Sequence, residues 1–240
     1  MLWMMMPLEE HYDDGFGAVG DAFRRAAETL NKNNRDGAML WSHLPEIYLL
    51  RHAVELFLKS GIIIMHRKLR LLYDSEPYSS ATPMLLTSSG KWRSLFKTHD
   101  IPELYGYWKK LIVEHKESLE AFGKHGPDMS VPVELDGWID TLGKADPNSD
   151  YFRYPVSRNT QADGEKSAFR EVAPEDLFPE NRNENEYIRA LVIENSKGEL
   201  VQAFKLDNAT QKDVAEAAKN AAEMLSNFHA MMRFELTGMR

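Results

Sequence analysis

The 240-residue sequence contains no cysteine, which excludes disulfide bonds, thiolate metal sites and cysteine nucleophiles. A chain without cysteine suits a reducing compartment, and we expect a cytoplasmic protein. Long apolar runs are also missing, because no uncharged stretch approaches the roughly 20 residues that span a bilayer. The apolar run Gly61–Met65 is closely flanked by Lys59 on one side and by His66–Lys68 on the other. The opening Met1–Met6 is short and has no basic leader, so we interpret it as neither a signal peptide nor a membrane anchor.

Positive charge is in short supply. The chain has 29 basic against 37 acidic side chains, which gives a formal net charge of -8. This balance argues against a broad electrostatic contact with nucleic acid, although a few arginines can still converge in a local basic site. With 43% hydrophobic and 28% charged residues, the composition is that of an ordinary soluble globular protein, and the length suits one domain over residues 1–240.

Several catalytic motifs are absent as well. The sequence has no P-loop, no Gly-x-Gly-x-x-Gly after a strand, no His-Glu-x-x-His zinc helix and no Gly-x-Ser-x-Gly elbow. No Glu-x-x-His pair occurs, which counts against a di-metal helical bundle. His52 and Glu55 lie three residues apart on one helix face, but a second such pair is missing. We therefore expect neither a metal ion nor another cofactor.

Apolar residues recur at helical spacing in five segments, which predicts a mainly α-helical bundle. The predicted helices cover residues 14–34, 44–72, 100–122, 132–142 and 208–234, with Ser42 suited to cap the second. A stretch rich in Ser, Thr and Pro, residues 73–97, predicts a long irregular insertion between the second and third helices. A polar loop is predicted over residues 157–186, and a small β-hairpin over residues 187–206 before the C-terminal helix.

A ladder of charges runs along the second predicted helix. Arg51, Glu55 and Lys59 are spaced four residues apart and therefore share one helix face. Such a ladder is usually a solvated face, but the residues around it are strongly apolar, which predicts at least partial burial. Buried charges need partners, and the later His99 and Arg153 are candidates. We expect the neighbouring Phe152 and Tyr154 to anchor Arg153 so that its guanidinium reaches Glu55.

Three short motifs follow one another along the chain: LRHAVELFLK at Leu50–Lys59, HDIPEL at His99–Leu104 and FRYP at Phe152–Pro155. In these motifs the chain resembles the HEPN superfamily of small helical bundles. The resemblance implies a module of a prokaryotic defence or toxin–antitoxin system, and many such proteins are metal-independent RNases that form homodimers with a composite site. Active members use an Arg followed, after four to six residues, by a His near the start of a late helix. Here that spacing occurs only between Arg93 and His99, and the final helix carries His229 without such an arginine.

Two interpretations of the polar residues stay open. A metal-free RNase needs a base for the 2′-OH, an acid for the leaving group and a cation for the phosphate. The catalytic candidates are Arg51, His52 and His99, and the accompanying polar cluster consists of Glu55, Lys59, Asp100 and Arg153. Alternatively, the same residues form a buried lattice that fixes how the helices meet, which is the interpretation we favour.

Three functions follow from these interpretations. The first is a HEPN-like defence or toxin protein that acts on RNA or a nucleotide. The second, favoured by the net charge and by the departure from the RNase motif, is a catalytically silent HEPN-like module that binds a partner protein. The third is a helical scaffold whose hairpin, residues 187–204, adds a strand to a partner sheet.

Overall fold

The longest described helix, α2, runs from His43 to Leu69 and forms the centre of the molecule. In the computed structural model, which describes residues 6–33, 42–147, 149–156, 160–177, 189–207 and 211–239, every residue of α2 from Ala53 to His66 is buried. A helix buried on all sides has no need of a single apolar stripe, which is why apolar residues surround its axis. Ser42 occupies the N-cap position of α2, as predicted, but its side chain makes no capping hydrogen bond.

The other helices surround α2. Five further α-helices are described: α1 (Phe16–Asn33), α3 (Ile101–Phe122), α4 (Glu134–Ala145), α5 (Thr160–Glu165) and α6 (Lys212–Met232). Helices α1, α3 and α6 pack directly against α2, and α4 packs against α3 and α6. The mainly helical fold expected from the sequence is thus confirmed. The short helix α5 lies within residues 157–186, where a polar loop was expected.

Small side chains let the helices approach one another closely. Ala218, Ala221 and Ala222 lie on the buried side of α6. On α2, a Cβ atom added to Gly61 would lie 2.7 Å from Cδ1 of Trp108, a buried side chain of α3. The contact between α2 and α3 therefore depends on glycine at position 61.

Two small antiparallel sheets lie outside the helices. Strands β1 (Met84–Leu86) and β2 (Trp92–Ser94) form a hairpin within residues 73–97, where an irregular insertion was expected. The second sheet has the order β3-β5-β4 and consists of β3 (Phe169–Val172), β4 (Ala190–Glu194) and β5 (Leu200–Leu206). Strand β3 also lies in the predicted polar loop. Its two charged residues, Arg170 and Glu171, lie between Phe169 and Val172, and each of the four residues has a partner on β5.

Some predicted features lie outside the described residues. These are the opening residues 1–5, residues 157–159 and 178–188 of the polar loop and hairpin start, and residues 208–210, where the last helix was expected to begin. Within the described residues, α6 continues into a π-helical turn, Arg233–Thr237. No helix in that part of the chain is both long and apolar enough to cross a membrane.

Candidate functional site

The charge ladder on α2 is buried rather than solvated. Arg51, Glu55 and Lys59 are 4%, 1% and 3% exposed. The Lys59 ammonium donates a hydrogen bond to Glu55 Oε1 at 2.7 Å, and Arg51 Nη1 lies 3.7 Å from Glu55 Oε2. Because the carboxylate and the ammonium are both removed from water, each needs the other to offset its loss of hydration.

Arg51 connects α2 to two other parts of the fold. Its Nη2 donates to the His99 carbonyl at 2.9 Å and to the hydroxyl of Ser149, which itself donates to the same carbonyl at 2.7 Å. Its Nε lies 3.0 Å from Asp146 Oδ2, close enough for an ion pair although not aligned as a hydrogen bond. The other Asp146 oxygen accepts the backbone N–H groups of Asp150 and Tyr151 at 2.9 and 3.0 Å. The guanidinium thus joins α2, the start of α3 and the turn after α4.

His99 is the solvent-facing end of this network. Its Nδ1 lies 3.0 Å from Glu55 Oε1, while its side chain is 43% exposed. His52 lies on the other side of Glu55, with its Nδ1 4.0 Å from Glu55 Oε2. The His52 ring meets Phe23 edge-on at 4.5 Å and stacks on Tyr48 at 6.0 Å. The structure therefore brings both predicted histidines to one buried carboxylate.

Burial and charge act in opposite directions on these groups. Burial favours a higher pKa for the Glu55 carboxyl, but Lys59 and His99 outweigh it and hold the pKa below its ordinary value. Burial lowers the pKa of His52 more than the nearby Glu55 raises it, which favours the neutral ring. Burial also lowers the pKa of Arg51, against the opposing effect of Asp146 and Glu55. Glu55 is thus the ionised centre of the cluster.

Asp100 and Arg153 lie outside the buried cluster. Asp100 is exposed and caps α3, accepting the Glu103 N–H at 3.0 Å, as the sequence predicted. The expected pairing of Arg153 with Glu55 is wrong, because Arg153 is exposed and its guanidinium lies 6.0 Å from the centre of the Tyr48 ring. Of its two aromatic neighbours only Phe152 is buried, so the segment has one anchor and Arg153 faces outward.

A second buried cluster was missed by the sequence analysis. Asp13 is 1% exposed, and its Oδ2 accepts hydrogen bonds from Ser60 Oγ at 2.6 Å and from the Gly17 N–H at 2.8 Å. His229 Nε2 lies 3.2 Å from the same oxygen, and Arg233 Nη1 lies 3.8 Å from Oδ1. Burial favours a higher pKa for Asp13, but His229 and Ser60 outweigh it and hold the pKa far below its usual value. The cluster joins the N-terminal segment, α2 and α6.

The Asp13 carboxylate also occupies the N-terminus of α1, where the helix dipole favours an anion. The sequence signal for this contact is the set of glycines at positions 15, 17 and 20, since a Cβ atom at Gly17 would lie 2.7 Å from Asp13 Oδ2 and would collide with His229. The glycines allow close approach, but they do not identify the residue that approaches.

The chemistry available at the first cluster is limited. Glu55 fixes one nitrogen of His99 while the rest of the ring meets solvent, an arrangement that suits an oriented base or acid. The predicted cation Arg51 is engaged by Asp146, Ser149 and the His99 carbonyl. The described part of the chain holds no group of three or more His, Asp or Glu side chains placed to bind a metal ion. Comparisons with family models, curated proteins and solved structures found no match.

Proposed function

We propose that this chain is a HEPN-like helical module of a prokaryotic defence or toxin–antitoxin system that acts by protein–protein association, with a second copy of itself as the partner. The observation that carries the proposal is the exposed apolar edge strand β4, combined with a polar cluster whose charges are compensated internally. A site that binds phosphate needs an available cation, and Arg51 is 4% exposed and already paired with Asp146, Ser149 and the His99 carbonyl. The cluster thus supports the lattice interpretation, and the surface available for binding lies elsewhere.

Strand β4 presents an unpaired edge. Neighbouring residues of an antiparallel strand point their N–H and C=O groups in opposite directions. The Leu206 N–H of β5 donates a hydrogen bond to the Arg189 carbonyl, which directly precedes β4. The backbone groups of the odd-numbered residues of β4 therefore face β5. The backbone groups of Ala190, Val192 and Glu194 therefore point away from β5, and no described strand lies on that side.

The side chains of β4 strengthen the case for a partner. Leu191, Val192 and Ile193 are 57%, 40% and 43% exposed, so apolar surface is open on both faces of the strand. Natural edge strands usually carry charges, bulges or covering loops that prevent pairing. Strand β4 has no charged side chain from Ala190 to Ile193, and its one charge, Glu194, and the register shift against β5 both lie at its C-terminal end. An added strand would cover both the backbone groups and the apolar side chains.

The occupant we infer is a second copy of this chain, which agrees with the expected homodimer. A two-fold axis perpendicular to the sheet at Val192 sets two β4 strands antiparallel, with Ala190 opposite Glu194 and Leu191 opposite Ile193. In this register the outward backbone groups of all three even-numbered residues pair with one another, and no like charges face each other. The sheet is self-complementary at this edge.

Sedimentation velocity at micromolar concentration tests the proposal. We expect a dimer for the wild type and a monomer for Val192→Pro, because proline removes an outward N–H without touching the bonds to β5. The matched control Val192→Thr retains the N–H and the branched shape and should remain a dimer. A monomeric wild type, or a dimeric Val192→Pro variant with wild-type circular dichroism, would overturn the β4 interface.

A metal-independent RNase is the second candidate, supported by the exposed His99 ring held by Glu55. Arg51 was predicted to bind the phosphate but is buried, and Arg153 is an exposed cation that is available for this role. The wild type, His99→Ala and Arg153→Ala should be incubated with tRNA and mRNA in the presence of EDTA. Both residues are solvent-facing, so the variants should fold. The partner-binding proposal predicts no cleavage by any of the three. Cleavage by the wild type that is lost in His99→Ala would favour the RNase.

A further inference from the structure

A pocket with a cavity volume of about 410 Å³ opens at the C-terminal end of α2. Tyr12 and Tyr78 contribute aromatic walls, and Leu72 contributes an exposed apolar rim. Two cations, Arg67 and Arg70, also line the pocket. A volume of roughly 300–1,000 Å³ with apolar walls and a few polar groups is typical of small-molecule sites. We call it the Tyr12–Tyr78 pocket.

Arg67 is committed to the protein. Its guanidinium lies 4.5 Å from the Tyr12 ring centre and 5.5 Å from that of Tyr78. Its Nη1 donates to the Tyr12 carbonyl and lies 3.4 Å from Asp14 Oδ1. The Tyr78 hydroxyl donates to the other Asp14 oxygen. Both oxygens of the Asp14 carboxylate are therefore paired with these two side chains. Arg67 holds the two tyrosine rings in place.

His66 contributes no charge to the pocket. Its Nε2 lies 2.8 Å from the Tyr107 hydroxyl and its Nδ1 lies 3.3 Å from the Leu71 carbonyl. Burial lowers the pKa of His66 to about 4, so the ring is neutral at physiological pH. The electrostatics of the pocket therefore depend on the two arginines.

Arg70 is the cation that remains. It ends α2 with φ 57° and ψ 40°, in the left-handed region that favours glycine or asparagine. Its backbone N–H bonds to the His66 carbonyl, but its exposed guanidinium makes no ion pair or hydrogen bond with any residue that the structure describes. An uncompensated guanidinium beside aromatic walls, in a chain of net charge -8, is a local attraction for an anion.

We infer that the Tyr12–Tyr78 pocket binds a small organic anion with a planar apolar body. The anionic group pairs with Arg70, and the planar body packs against Tyr78 and Leu72. A carboxylate and a phosphate monoester share this chemistry, because a guanidinium binds either through two parallel hydrogen bonds. The inference is independent of the β4 interface, which lies on a different element.

Isothermal titration calorimetry with 1-naphthoate, 1-naphthyl phosphate and neutral 1-naphthalenemethanol tests the inference. We expect at least one of the anions to bind ten or more times more tightly than the neutral probe. Tighter binding of the phosphate or of the carboxylate tells which anion the pocket takes. Inorganic phosphate alone should bind weakly, since it lacks the apolar body. Equal binding of all three naphthyl compounds, or no binding at all, would overturn the inference.

Two substitutions locate the binding. Arg70→Asn removes the cation while suiting the left-handed backbone, so it should fold and lose the preference for anions. The control Arg93→Asn removes an exposed arginine of β2 and should bind as the wild type does. Leu72→Asp and Leu72→Asn both remove the apolar rim, but only Asp adds a negative charge, so Leu72→Asp should weaken the binding of anions at least tenfold more than Leu72→Asn does. Wild-type binding of anions by both Arg70→Asn and Leu72→Asp would show that the probes bind elsewhere.

Discussion

Replacing Glu55 by leucine tests whether the buried charge ladder holds the fold together. Glu55→Leu leaves the Lys59 ammonium, 3% exposed, without the carboxylate that lies 2.7 Å away in the native protein. Arg51 retains Asp146 at 3.0 Å, so the loss falls mainly on Lys59. Removing one partner of a buried ion pair costs about 3–5 kcal/mol, because the remaining charge stays uncompensated.

The chemistry of lysine makes this cost depend on the pH. A lysine in water has a pKa of about 10.4, so releasing its proton costs about 4.6 kcal/mol at pH 7 and about 2 kcal/mol at pH 9. Releasing the proton removes the stranded charge but leaves a buried amine without its partner, so the loss in unfolding free energy at pH 7 is expected to be about 3–5 kcal/mol. The penalty of Glu55→Leu should shrink as the pH rises.

Urea unfolding followed by circular dichroism at pH 7 and pH 9 measures both values. In a thermal scan the loss at pH 7 corresponds to roughly 6–20 °C for a chain of this size. The control Asp140→Ala breaks the exposed pair with Lys144, whose side chains are 60% and 75% exposed, and should cost less than about 0.5 kcal/mol. A Glu55→Leu variant within about 0.5 kcal/mol of the wild type at pH 7 would refute the structural role of the ladder.

Three further predictions concern residues of α2 and of the segment before α1. Burial lowers the pKa of His66 to about 4, below the ordinary 6.5, so the unfolded chain binds more protons between these values. Stability should therefore fall by roughly 2 kcal/mol from pH 6.5 to pH 5, and His66→Gln should flatten that slope in urea titrations. Gly61→Ala should cost about 1–3 kcal/mol because its Cβ meets Trp108, whereas Gly106→Ala, in open space on α3, should stabilise by up to about 1 kcal/mol. Asp13→Asn should cost about 3 kcal/mol at pH 7 in the same assay, and the difference from the wild type should vanish in acid as the wild-type carboxylate takes up its proton.

Each of these has an outcome that contradicts it. A wild-type slope retained by His66→Gln would assign the acid sensitivity to other groups. Equal stabilities of Gly61→Ala and Gly106→Ala would mean that α3 moves away from α2 at no cost. An Asp13→Asn variant as stable as the wild type at pH 7 would show that the carboxylate is not needed to join α1 and α6.

The helices could be predicted from the sequence because their signals are local. Apolar spacing predicts α1, α3, α4 and α6, and the Asp100 cap of α3 follows from four consecutive residues. The burial of the ladder could also be predicted, since apolar residues surround it on every side of the helix. These predictions need only the residues within a few turns of one another.

The partners in both clusters could not be predicted in the same way. Asp146 and Ser149 lie in a sequence that fits a turn on its own terms, so nothing local indicates that they contact Arg51. Asp13 and His229 are 216 positions apart, and only the packing of α6 on α1 and α2 brings them together. Strand β3 was missed because its four residues become a strand only through pairing with β5, about thirty residues later.

The polar residues of α2 also explain how a helix buried on all sides keeps one rotation. An all-round apolar surface packs almost equally well in several orientations, whereas a buried polar group is satisfied in only one. Glu55 meets His99 before α3, Ser60 meets Asp13 before α1, and His66 meets the Tyr107 hydroxyl on α3. Glu55 and His66 thus contact the α3 side and Ser60 contacts the α1 side, and contacts in these two directions determine the rotation and the height of α2.

The stability of the fold and the single orientation of α2 should therefore be separable by mutation. The double variant Glu55→Leu/Lys59→Met replaces the ion pair by apolar side chains and removes the stranded charge, so it should regain most of the stability lost in Glu55→Leu. If the pair also helps to determine the rotation, the double variant should show broadened amide resonances for α2 and α3 in ¹H–¹⁵N spectra despite near wild-type unfolding free energy. Sharp, wild-type-like spectra for the double variant would mean that Ser60 and His66 alone orient α2.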